Sequence, residues 1–467
     1  MTAKRPPHDQ EPNTSPGAEL DGPTPGHSHT HGGHTHGHGG PMHSHAGGGI
    51  PHSHGGVPHV HGQTDEPLYR GYPARVSTTG RVYHGIGVDI PPGGRPMMET
   101  LRQAFAQPFK GITADGTVQP GLFPLQKTGA STRSAVAAAR AYLNTLKRKD
   151  FRRYALQPMD SPDRRRWINA FPDWMPTGVY LRDLEQDELD AALAVMEASL
   201  SAYGYEQMRN AMKINEALGQ FINRSKDSMC EFGFFFTLFG DPTEGSAWGW
   251  RLTGFHLVMY CTFIGDQMVL TPTFVGAEMA VIEDGPYAGV SVLQEEQRCG
   301  LELATSLNAA QRGKAVLYPS MLSKDLPPQL SGLDGRHIAV AGQDNRVIPY
   351  QGVPATDLSK GQRDQLLSLI NLYVGRSPEP YRALQMAEIT KHLDETHFAW
   401  IGDPEKLPFY YRIHNPLILI EFDHHSGIFL ANNNPEPFHI HTITRTPNGN
   451  DYGEDLLRQH YEAFKHS

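Results

Sequence analysis

From about residue 230 the chain reads "FGFFFTLFG", "GWRLTGFHLVMYCTFIG" and "QMVLTPTFVG", β-branched and aromatic runs separated by Gly, Asp and Pro. A pleated, largely buried surface favours such residues and the separators favour turns, so these runs predict neighbouring antiparallel strands. A second strand-rich section closes the chain with "FYYRIHNPLILIEFD" and "FHIHTITRT". Helical spacing occupies the rest. In "RSAVAAARAYLNTL", Ser131 or Thr132 can cap a helix whose apolar positions are Val136, Ala139, Leu143 and Leu146. From Asp187 one stripe runs through Leu189, Leu193, Met196 and Leu200, and Met208, Met212 and Leu218 suggest a second helix, its methionines read as core. Further helices are expected in "EEQRCGLELATSLNAAQRGKAVL", "LSKGQRDQLLSLINLYVG" and "DYGEDLLRQHYEAF", the last with Asp451 as N-cap. Strand runs and helix runs without regular βαβ alternation imply an α+β fold, antiparallel sheet packed with helices.

Residues 1–65 cannot join that core. Rich in Pro, Gly, Ser, Thr and His, they hold too little apolar surface to offset backbone ordering, and a disordered arm is expected. The folded domain is then 66–467, opening in strand near "YRGYPARVSTTGRVYHGIGVDI". Of the 25 histidines 13 fall in the arm, at His8 and in the tract His27, His29, His31, His34, His36, His38, His43, His45, His52, His54, His59 and His61. Closely spaced neutral imidazoles on a flexible chain can capture Zn, Ni or Cu in many interchangeable ways; an inert low-complexity linker is the other reading. A catalytic centre is not expected there, because catalysis needs ligands in fixed geometry.

The formal charge of −9 excludes the basic footprint of a nucleic-acid binder. Cys230, Cys261 and Cys299 are widely spaced and form no CxxC, against a disulfide framework or a thiolate zinc site. No apolar run fits a secretory signal or a membrane span, so a soluble cytoplasmic protein is expected. GxSxG, Walker, GxGxxG and HExxH patterns are all missing.

Histidine in strands remains. Strand alternation puts His439 and His441 of "PFHIHTITRT" on one face, roughly 6.5–7 Å apart, where they can chelate one metal or serve as a hydrogen-bonded or substrate-contacting pair. His256, in "GWRLTGFHLVMY", is the candidate third ligand if it is not simply a satisfied core residue; Val258 and Tyr260 would share its face. Glu421 ends an apolar strand and is read as a carboxylate ligand, a partner orienting a histidine, or half of a buried ion pair. His424 and His425 point to opposite faces and read as turn residues, His397 and His414 as local hydrogen-bonders. Arg164, Arg165 and Arg166 read as a solvated helix face, whereas Arg412 and Arg445 flank the histidine strands and could hold a carboxylate or carbonyl of a substrate.

Several motifs carry a resemblance: "GLFPLQKTGAST", the Arg-Trp-x-Asn of "RRRWIN", "FGDPTEGSAWGWRLTGFHL", "TPTFVGA", "FAWIGDPEKLPFYYRIHNPLILIEFD" and "HIHTITRTPNGNDYGEDLLRQHY". In this order, over roughly residues 75–466, the chain resembles the domain of unknown function 3500 family, whose name conveys no activity. The resemblance implies that the His-x-His and Gly-x-His strands belong to one constellation, with His256, His439 and His441 acting together. The chain departs from the family pattern in two places. Phe255 precedes His256 where the family often has a first histidine, and "TITRTP" keeps Arg445 but lacks the acid that usually follows it.

The expectation is a metalloenzyme. One transition metal, Fe or Cu in preference to Zn or Ni, is held by His256, His439 and His441 with help from Glu421, leaving a position for water, dioxygen or substrate. Arg412, Arg445 and Tyr260 are the residues expected to act on a small organic substrate. Oxidation is preferred because no general base accompanies the strand histidines; a zinc-dependent hydrolase, a metal-buffering or delivery protein, and a metal-free binding module are the alternatives.

Overall fold

The structure, a computed structural model, describes residues 90, 92–223, 228–331, 334–430 and 432–463. Ahead of these it gives only two short antiparallel pairs, Ser28–His31 with His34–Gly37 and Arg75–Val76 with Val82–His84. The expectation of a disordered metal-capturing arm over 1–65 otherwise lies outside the described residues. The chain divides into two units, Met1–Gln63 and Thr64–Ser467, the second holding the whole of the fold described below.

Thirteen strands make one mixed sheet. They are β1 (Leu156–Gln157), β2 (Val179–Tyr180), β3 (Phe234–Gly240), β4 (Ala247–Gly254), β5 (Leu257–Ile264), β6 (Gln267–Val269) and β7 (Thr273–Glu278), then β8 (Val316–Tyr318), β9 (Val353–Pro354), β10 (His397–Ile401), β11 (Tyr410–His414), β12 (Leu419–His425) and β13 (Glu436–Arg445). The main path runs β8-β10-β11-β12-β13-β7-β5-β4-β3-β1, and β9, β6 and β2 pair with β10, β5 and β3. All neighbours are antiparallel except β8 with β10 and β1 with β3, so the expected α+β antiparallel sheet is present with a parallel pair at each end. The two strand-rich sections meet where β7 pairs with β13, and that junction carries the site.

Alternation assigns each face. Val275, Ala277, Ile420, Phe422, Ile440, Tyr411 and Ile413 enter one large core with helices that include α1 (Arg133–Thr145), α2 (Gln186–Ser199), α3 (Ala202–Phe221), α4 (Gln294–Ser306) and α5 (Lys360–Val374). Their partners in the alternation face the other way: Phe274, Gly276 and Glu278; Tyr410 and Arg412; Glu421 and Asp423; His439, His441, Ile443 and Arg445. An irregular segment including 336–344 lies over part of this second face, held by bonds from Ile338 N and Ala339 N to Glu421 and from Arg445 to Ala339 O.

Local details differ from expectation for identifiable reasons. Helix α2 begins with Glu185 as cap, in a reciprocal box with Glu188. Asp451 does not cap the last helix, α6 (Glu454–Ala463), because its carboxylate is taken by Arg445 Nε at 2.7 Å and Thr446 N at 2.8 Å. Arg164 and Arg166 are buried rather than solvated, Arg164 donating to Tyr452 O at 2.8 Å and Arg166 pairing with Asp163.

Candidate metal centre

The site begins with a tight hairpin. Gly254 pairs with Leu257, so Phe255 and His256 are the two loop residues between β4 and β5, and His256 lies in a turn rather than within the strand. Its φ of 59° is left-handed, which histidine tolerates better than most side chains but which still marks a constrained position. The backbone fixes it: His256 N donates to Asn169 O at 2.9 Å, and Gly276 N donates to His256 O at 2.7 Å. This ties the hairpin tip to β7, beside the pair β7–β13.

On β13 the predicted alternation holds, with His439 and His441 on one face. Opposite His441 stands Gly276, where a Cβ would lie 2.8 Å from His441 Cδ2, so the missing side chain makes room for the imidazole. The result is convergence: His439 Nε2 lies 3.0 Å from His441 Nε2 and 3.2 Å from His256 Nε2. Three nitrogens ~2.0–2.1 Å from one ion stand roughly 2.8–3.4 Å apart at octahedral to tetrahedral angles, so the spacing fits a common cation. Hydrogen bonding alone can place only one proton on the shared His439 Nε2, whereas a cation accepts all three lone pairs.

Burial supplies the right protonation state. It pulls His256 down to about 3, aided by the neighbouring His425. The same desolvation, with His425 and neighbouring histidines adding to it, takes His439 and His441 well below the ordinary imidazole value. Neutral imidazoles are the form that ligates. His439 is completely enclosed, while His256 and His441 keep 7% and 6% exposure.

The cluster extends beyond these three. Asp423 is opposite His441 across β12 and β13, and His425, two residues on, stacks on His441 with ring centroids 4.2 Å apart. Asp423, His425 and His441 form a second group whose donor atoms lie within 4.8 Å of one another. His337, from the covering segment, has its ring centroid 6.2 Å from that of His441. His424 faces the helices, its Nε2 2.8 Å from Gln297 Oε1 and its Nδ1 accepting from Phe409 N at 2.9 Å. Thus the adjacent histidines do point to opposite faces, but from a strand rather than a turn.

The remaining candidates have other partners. Glu421 accepts from Ile338 N at 3.0 Å, Ala339 N at 2.8 Å and Tyr410 Oη at 2.7 Å, so its carboxylate fastens the covering segment that carries His337. Arg445 donates to Asp451 at 2.7 Å, Asp344 at 2.6 Å and Ala339 O at 2.8 Å, a buried pair in which its donors are committed. Arg412 donates to Gln351 Oε1 at 2.6 Å. Tyr260 Oη lies 3.4 Å from Arg251 Nη1, and its ring meets Tyr452 edge-on. Among the described residues, none of these four is hydrogen-bonded to the three converging nitrogens. A cavity of about 370 Å³ lined by Phe123, Tyr381, Leu384, Thr446 and Leu456 is also separate from the histidines, at the far end of β13.

Asp423, His425 and His337 were missed by sequence reasoning. For the first two a signal existed: Glu421, Asp423 and His425 are spaced by two, a polar set alternating with Ile420, Phe422 and His424. His337 lies in a loop, where no periodicity points to it.

No helix among the described residues is long and apolar enough to cross a membrane. No curated protein and no solved structure matches the chain. One family does, over residues 128–454, more than two thirds of the sequence and including all three converging histidines. The chain therefore belongs to the family described as protein of unknown function, DUF3500.

Proposed function

We propose that the protein is a transition-metal-dependent enzyme that oxidises a small organic substrate, with dioxygen as the electron acceptor, at His256, His439 and His441. The observation carrying this reading is the approach of three buried, neutral Nε2 atoms to 3.0 and 3.2 Å. All-imidazole ligation suits Cu, Fe, Zn or Ni and leaves further coordination positions for a substrate. The chain's own contribution is to hold the three rings rigidly, to keep them unprotonated, and to enclose them.

A hydrolytic reading with zinc has one specific observation in its favour. Asp423 is a fully buried carboxylate beside the histidines, the kind of base that the strand pattern alone did not supply. Burial works to raise it, but His337 and His425 outweigh burial and hold it below the ordinary carboxylate range, so it is an anion at neutral pH.

The test uses the full-length chain with the twelve histidines from His27 to His61 replaced by Asn, so that arm binding does not mask the site. Metal retained by this protein and lost in His439→Ala supports the centre; iron or copper favours oxidation and zinc favours hydrolysis. No retained metal after reconstitution with Fe, Cu, Zn and Ni, or metal unaffected by His439→Ala, contradicts it.

A further inference from the structure

The three converging nitrogens leave other donors on this face unused. Asp423 Oδ2 accepts from Arg336 N at 3.2 Å and lies 3.3 Å from His425 Nδ1. Its other oxygen, Oδ1, has His337 Nε2 at 3.5 Å, beyond a good hydrogen bond, and accepts no hydrogen bond. Both ring nitrogens of His337 are likewise without a hydrogen bond, and the side chains of Asp423 and His337 are completely buried. Enclosed polar atoms are normally hydrogen-bonded, so a carboxylate oxygen and an imidazole facing each other at ion-pair distance without a hydrogen bond require an explanation.

We propose that Asp423 and His425, whose donor atoms group with His441 within 4.8 Å, hold a second divalent transition-metal ion beside the one on His256, His439 and His441, with His337, its Nε2 3.5 Å from Asp423 Oδ1, moving onto the ion as third ligand to complete a two-ion centre. One carboxylate and two imidazoles are a donor set for Zn, Fe, Cu or Ni, and the carboxylate supplies the charge that the all-histidine group lacks. The ring of His425 lies against those of both His441 and His439, with centroids 4.2 and 5.0 Å apart, so the two donor groups adjoin directly. Two ions so close can act on a single substrate, one binding it and the other activating the attacking group. The covering segment is shaped to allow this. Gly335 has a φ of 61°, and a side-chain carbon there would be driven against Asp423 Oδ2 and His425 Nδ1. Glu421 in turn holds Ile338 and Ala339, and so positions His337 without being a ligand.

This inference rests on the metal-centre reading above, and the experiment separates the two. The arm-substituted full-length chain is loaded with Zn(II) alone, desalted, and its zinc measured per folded chain, with far-UV circular dichroism as the check on folding. Two equivalents are expected, falling to one in His337→Ala and to one in Gly335→Ala, which keeps every donor but wedges a methyl between two of them. His256→Ala is also expected to leave one. A single equivalent in the parent that persists in His337→Ala overturns the second ion and leaves the three-histidine site standing; no zinc in the parent overturns both. Two equivalents that both survive His337→Ala and Gly335→Ala overturn this ligand assignment.

Discussion

Gly276 and His441 face each other across β7 and β13, and a Cβ on Gly276 would come within 2.8 Å of His441 Cδ2 and 2.9 Å of Ile440 O. The imidazole occupies space that only glycine leaves. Gly276→Ala should therefore displace His441 while the β7–β13 hydrogen bonds persist. A roughly 10- to 100-fold loss of metal affinity is expected, the range typical when support of a ligand is disturbed, with an unchanged far-UV spectrum. Competition with a chromophoric chelator measures it; unchanged affinity would mean that His441 is not a ligand.

Glu421→Gln replaces an acceptor oxygen with an amide NH₂ facing the donors Ile338 N, Ala339 N and Tyr410 Oη. A destabilisation of about 1–3 kcal/mol is expected in urea unfolding, from buried groups left unpaired. Binding at His256, His439 and His441 should survive in the folded variant. If that binding disappears, Glu421 is a ligand after all.

Arg445→Met leaves Asp344 and Asp451 without their guanidinium in a buried setting. The expected loss is about 3–5 kcal/mol, and adding Asp344→Asn and Asp451→Asn should recover part of it. A stable Arg445→Met protein with impaired substrate handling would instead restore the substrate-holding role expected from the sequence.

His414 gives a prediction for acid stability. Burial, then Arg412 and His397, hold it well below its ordinary value of 6.5, and neither ring nitrogen has a hydrogen bond. The unfolded chain thus binds the proton more readily than the folded one. Stability from this residue is intact above pH 6.5 and is lost as pH falls toward the depressed folded value, by about 1.4 kcal/mol per pH unit. His414→Gln should flatten the acid limb of a stability-against-pH curve by that slope between pH 6.5 and 5; an unaltered limb would mean that His414 titrates normally.

What the sequence reveals follows from periodicity. Alternation in "FHIHTIT" correctly places His439 and His441 on one face, because a strand's side chains can point only two ways. The α+β class was legible for the same reason, since strand and helix periods differ. Long-range register is less accessible: nothing local says that β7 pairs with β13, the step that brings the His256 hairpin against His-x-His. Asp423 and His425 were half visible in the two-residue spacing after Glu421, but His425 read as a turn because Ser426 and Gly427 follow it. His337 was hidden because loop residues reach a site through tertiary bonds, here those that Glu421 makes with Ile338 and Ala339. The buried roles of Arg445 and Asp451 were hidden too, because pairing partners separated by loops leave no pattern in the chain.

X-ray absorption at the metal edge of the arm-substituted, Zn-loaded chain probes the convergence of His256, His439 and His441 most directly. Expected are nitrogen scatterers at about 2.0–2.1 Å with the multiple scattering of several imidazoles, reduced in His439→Ala. A shell of light atoms without imidazole scattering, or one that His439→Ala leaves unchanged, would contradict a metal centre on these three histidines.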